Sequence, residues 1–99
     1  MDDLTAFLCA RLDEDETWSK DWTKRAESMG GSAHWMEGRV LREVGAKRAI
    51  LASCEAVIAA DEFQDVPGIK SGVHLAWQIL YSMAAVYSDH LDYRQEWMA

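Results

Sequence analysis

The stretch SGVHLAWQILYSMAAVY, residues 71 to 87, decides how this chain folds. At about 100° per residue, Val73, Ala76, Trp77, Leu80, Met83, Ala84 and Tyr87 fall on one helical arc, and Leu75, Ile79 and Val86 widen it to roughly 200°. Only His74, Gln78 and Ser82 mark a polar edge. A helix apolar over so much of its circumference must be covered on two sides. Two further helices can cover one side; the other needs the C-terminal tail, the loop before residue 71, or another protein chain.

Working outward, the apolar residues Leu4, Phe7, Leu8, Leu12, Trp18 and Trp22 recur at helical steps and predict a first helix from Asp2 to about Trp22. Asp2 suits the N-cap. The helix is expected to fray into a connection between Met29 and Ser32, at Gly30 and Gly31, with Ser32 capping the second helix. Val40, Val44, Leu51, Cys54 and Ile58, with Ile50 and Val57 beside them, predict that second helix from Ala33 or Glu37 to Ala60. Gly38 and Gly45 weaken it by roughly 1 kcal/mol each relative to alanine, unless they admit a close neighbour. DEFQDVPGIKSG, residues 61 to 72, holds the only proline and reads as a loop.

The totals agree with one small helical domain spanning residues 1 to 99. Nearly half of the residues are apolar (49%), with one proline and six glycines, a composition for a packed core rather than disorder. A net charge of −7 repels a phosphate backbone, so direct nucleic-acid binding is not expected. An acidic protein that imitates nucleic acid stays open. No run of about 18 apolar residues occurs, so no membrane span is expected. The N-terminus MDDLTAFLCARLDEDE lacks the basic and apolar regions of a secretory signal, which makes a cytoplasmic protein the expectation. Cys9 and Cys54, isolated and without CxxC spacing, read as reduced packing thiols.

The tail YSDHLDYRQEWMA, residues 87 to 99, reads as a clasp. Ser88 or Asp89 can cap a short helical turn, after which Leu91, Tyr93 and Trp97 offer apolar area to fold back on the bundle. Asp89 is expected to reach Lys47 or Arg48. The fold class is therefore all-α: a three-helix bundle with a short C-terminal helical clasp, its third helix innermost.

Three stretches, MDDLTAFLCARLDEDE at 1 to 16, RVLREVGAKR at 39 to 48 and YSDHLDYRQEW at 87 to 97, cover over a third of the chain. On these residues it resembles a small uncharacterised family, a domain of unknown function seen in actinobacteria and their phages. That resemblance implies no activity. Many relatives carry a cysteine-containing segment of metal-binding character before the third helix, whereas residues 61 to 72 contain no cysteine. Leu91 stands where the family usually has proline, and Gly45 where it tends to have glutamate; the resemblance thus implies a divergent, phage-encoded member.

No motif names a reaction. The acidic run 13 to 16 would need a facing pair of carboxylates to hold magnesium, and Glu37 and Glu43, six apart, do not share a face. Glu-x-x-His is absent, and His34, His74 and His90 lack zinc-ligand spacing. No serine sits in a glycine-flanked turn fit for a nucleophile. The expectation is a protein without catalytic residues, metal or cofactor.

The least ordinary feature is charge on apolar faces: Arg11 and Asp15 fall inside the stripe of the first helix, Glu43 and Lys47 inside that of the second. Buried charges need partners, so these four are expected to meet between the helices, as a register-setting network or as a polar ligand site. The leading functional expectation is a non-catalytic interaction module that binds a protein, either itself as a homodimer or a host protein. Its candidate contacts are Leu75, Ile79, Met83 and Val86, with Trp22 and Trp35 as large anchors. The alternatives are the nucleic-acid mimic and a small-ligand or metal-dependent enzyme built on the charged cluster.

Overall fold

A computed structural model describes residues 3–31, 34–63 and 69–98, with side chains over 3–31, 36–61 and 72–98. Three helices follow one another: α1 Asp3–Ser28, α2 His34–Phe63 and α3 Ile69–Ala85. A 3₁₀ turn, Gln95–Trp97, closes the chain. Among the described residues there is no strand. The fold is the all-α three-helix bundle that periodicity predicts.

Both long helices outrun their expected ends. α1 continues past Trp22 and stops where Gly30 takes φ +83°, a conformation costly for any residue with a Cβ. Gly31 N–H donates to the Ala26 carbonyl at 2.8 Å and Gly30 N–H to that of Glu27 at 3.0 Å, the paired bonds of a Schellman cap. α2 extends through Phe63, so the expected loop from residue 61 loses its first three positions to helix, and α3 reclaims residues from Ile69 onward. The expected caps Asp2 and Ser32 and the middle of the loop, residues 64 to 68, lie outside the described residues.

The chain runs up, down and up. Arg48 of α2 reaches Asp13 and Glu16 of α1, each at 2.8 Å, while Trp18, later in α1, shares a hollow with Val40, earlier in α2, so these helices run antiparallel. A Cβ at Gly72 would sit 3.6 Å from Val57, the point where the start of α3 packs on the end of α2. Tyr87, just past α3, reaches Asp15 of α1.

The core is apolar and drawn from every element. Leu4, Phe7, Leu8 and Leu12 come from α1, Val44, Leu51 and Cys54 from α2, Ala76, Leu80 and Ala84 from α3, and Tyr93 and Trp97 from the tail. Full burial of a leucine such as Leu8 or Leu80 contributes roughly 1.5–3 kcal/mol. Beyond Leu12 the inner line of α1 passes to Ser19 and Thr23, both buried, and not to the tryptophans. Trp18 and Trp22 lie on the shoulder of the helix instead, 64% and 39% exposed and stacked on each other at 6.4 Å.

Unequal helix lengths explain that exposure. At 1.5 Å per residue, α1 and α2 span about 39 and 45 Å against about 26 Å for α3. Because the end of α3 is held at Asp15, the stretch of α1 after it and the first half of α2 form a two-helix arm, and the molecule measures 58 × 25 × 19 Å.

The tail is a clasp, with two corrections. Consecutive turns lead from Tyr87 to Tyr93, and the short helix begins after Arg94, which provides no side-chain cap; neither Ser88 nor Asp89 caps it. Leu91 is 99% exposed and adds nothing to the core. Tyr93 and Trp97 do the packing, meeting Phe7 at ring-centroid distances of 6.1 and 5.1 Å. Arg94 pins the same segment to Asp3 at 2.8 Å.

Candidate docking groove

α3 packs its line Ala76, Leu80 and Ala84 fully inward, yet it is not the innermost helix around its whole circumference. Leu75 remains 56% exposed and Val86 68%. Between this edge and the other two helices runs an open groove of about 510 Å³. Leu8 and Leu12 form its floor, Ile50 and Lys47 one wall, and Leu75, Ile79, Met83 and Val86 the other, with Gln78, Ser82 and Tyr87 completing it. All four residues of α3 proposed as contacts from the helical wheel therefore share one surface.

The groove carries few polar functions. Among the described residues Lys47 is its one basic group, and its only other titratable side chain is Tyr87. The Tyr87 hydroxyl donates to Asp15 Oδ2 at 2.6 Å. Burial first, then the bond to Asp15 and its charge, push that hydroxyl above its ordinary value of 10.0, so it stays protonated.

The charged cluster expected between α1 and α2 is divided. Asp15, Glu43 and Lys47 line a hollow of about 170 Å³ with Trp18, Val40 and Val44, but Arg11 turns the other way. Arg11 is 6% exposed: Nη2 donates to Glu14 of its own helix at 2.9 Å, and Nη1 binds the tail at the His90 imidazole, 2.7 Å from Nδ1. The guanidinium also lies 5.0 Å from the Phe7 ring centroid, a cation–π contact. Glu43 bonds Arg39 of its own helix at 3.2 Å. The ion pairs that cross from α2 to α1 are instead those of Arg48 with Asp13 and Glu16, which also leaves Asp89 without the partner expected for it in Arg48.

The wheel misplaces Arg11 because it assumes that the apolar stripe of a helix faces one neighbour. Arg11 lies on the α1 face that the tail covers, and Asp15 at the end of α3. Of the anchors expected in addition, Trp22 belongs to the arm and does not line the groove. The side chain of Trp35 lies outside the described residues. Leu8, Leu12, Ile50 and Lys47 join the groove although periodicity does not single them out for it, and for Ile50 its place beside the main line of α2 is the available signal.

Other groups offer little chemistry. A hollow under the clasp holds Arg11 and Arg94, but Asp92 lies 3.8 Å from Arg11, and Asp3 and Glu96 pair with Arg94. Among the described residues no three His, Cys, Asp or Glu side chains gather as a metal site would require. Cys9 and Cys54 are free thiols. Burial raises both above the ordinary 9.0, and the carboxylates of Glu55 and Asp13 add to the rise at Cys9. Neither is poised as a nucleophile at neutral pH.

With that geometry in place, one comparison decides kinship: the model of the DUF6221 family, a family of unknown function, matches residues 1–99. The chain belongs to the DUF6221 family. No curated protein and no solved structure matches it. The functional reading of this DUF6221 chain therefore rests on its own surface. No helix among the described residues is long and apolar enough to cross a membrane.

Proposed function

We propose that this DUF6221 chain is a non-catalytic protein-binding module whose α3 groove receives an apolar helix of a partner protein. The observation that carries this reading is the alignment of Leu75, Ile79, Met83 and Val86 over a floor of Leu8 and Leu12, with Leu75 and Val86 more than half exposed. Scattered surface leucines need no explanation, but a contiguous apolar groove does. Its rows at i, i+4 and i+3 spacing match the anchors of a helix laid into a groove, and Lys47 offers the partner one fixed charge to meet. The partner is self or a host protein.

The test is a Leu75→Asp, Val86→Asp double variant. Both positions are exposed enough for the domain to keep its helicity and its melting temperature within a few degrees. The share of chain migrating above monomer mass in native size exclusion of cell extract should fall at least about tenfold, the loss expected from removing two anchors. An unchanged elution profile for a folded variant would remove the proposal.

A further inference from the structure

Resting on that reading, we infer that the helix received by the groove is α3 of a second copy of this chain, packed antiparallel. Charge narrows the choice first. The chain holds 17 acids against 10 lysines and arginines, so two copies repel overall. From Val66 to Ser88, 23 consecutive residues, there is no Asp or Glu, and these residues include the whole of α3. Along this helix an acidic chain meets its copy without carboxylate repulsion, whereas a basic partner would favour the acid-bearing faces of α1.

Spacing points the same way. Leu75, Ile79, Ser82 and Val86 follow one another at steps of four, three and four, the seam of paired helices. That seam is self-complementary when reversed. Leu75 then faces Val86 of the partner subunit, bulky Ile79 faces small Ser82 of the partner subunit, and Gln78 faces Met83 of the partner subunit. Each contact occurs twice about a two-fold axis near Leu80, as an isologous dimer requires.

Sedimentation of the full chain tests this. The wild type should weigh about twice 11.2 kDa at high concentration and dissociate on dilution. Leu75→Lys alone and Val86→Glu alone should each sediment as monomers of unchanged helicity. Mixed one to one, they should recover the double mass, because reversal places the new lysine against the new glutamate while the other end of the seam stays wild type. Monomeric variants whose mixture stays monomeric would overturn the antiparallel seam, and a dimer that ignores both substitutions would overturn α3 as the contact. A strictly monomeric wild type would end self-pairing; if the size-exclusion test above still shows a larger complex lost in the double variant, the groove reading survives without it.

Discussion

At the scale of single residues, two tyrosine hydroxyls on either side of the tail behave oppositely. The Tyr93 hydroxyl is buried without a hydrogen-bond partner among the described residues. Removing an unsatisfied polar atom while keeping the ring relieves a desolvation penalty. Tyr93→Phe should therefore leave stability unchanged or raise it by about 1 kcal/mol, measured by urea denaturation. Tyr87→Phe deletes a bond to a carboxylate and should cost about 1–2 kcal/mol. Its pH dependence has a defined sign. Because the folded hydroxyl titrates above the ordinary 10.0, the unfolded chain loses that proton first, and stability drains as pH rises beyond 10. The advantage of wild type over Tyr87→Phe should be constant between about pH 7 and 9 and shrink above pH 10 in paired melts. Neither role is legible in the sequence: the wheel places Tyr87 on the α3 arc and the tail reads Tyr93 as an apolar anchor, but neither says which hydroxyl finds an acceptor.

Among the elements, helix type and order follow from periodicity, while helix ends follow from local backbone chemistry. α1 passes Trp22 because Ser19 and Thr23 carry its inner line, two residues a hydropathy pattern counts as polar. Thr23 solves the problem by donating its hydroxyl to the Ser19 carbonyl at 3.0 Å. The glycines of α2 should either weaken the helix or admit a neighbour, and the first holds at Gly45, where nothing lies within 4 Å of a built Cβ. Gly45→Ala should stabilise the domain by up to about 1 kcal/mol. Gly30→Ala should do the reverse by about 1–2 kcal/mol, since a Cβ is strained at φ +83°. Comparing the two melts separates helix propensity from cap geometry. The clasp is legible in its aromatic residues and not in its anchor. Arg11 reads as an α1–α2 charge from its own helix, and only the folded tail brings His90 to it. Trp97→Ala, which empties the contact with Phe7, should cost about 3–5 kcal/mol by the same assay.

For the whole molecule, α3 is apolar over more of its circumference than the other two helices and the tail cover, and the groove beside it is that uncovered surface. The width of the α3 arc announces that excess in the sequence; its location does not follow, because Leu8, Leu12 and Ile50 reach the groove only through the packing of all three helices. The docking claim is tested most directly by a photo-crosslinking amino acid placed in turn at positions 75, 86 and 52, in the native cell. Ala52 is an exposed position of α2 that does not line the groove. The account predicts discrete protein adducts from positions 75 and 86, of the same mass, and none from 52. Adducts from 52 alone, or none from either groove position, would contradict it.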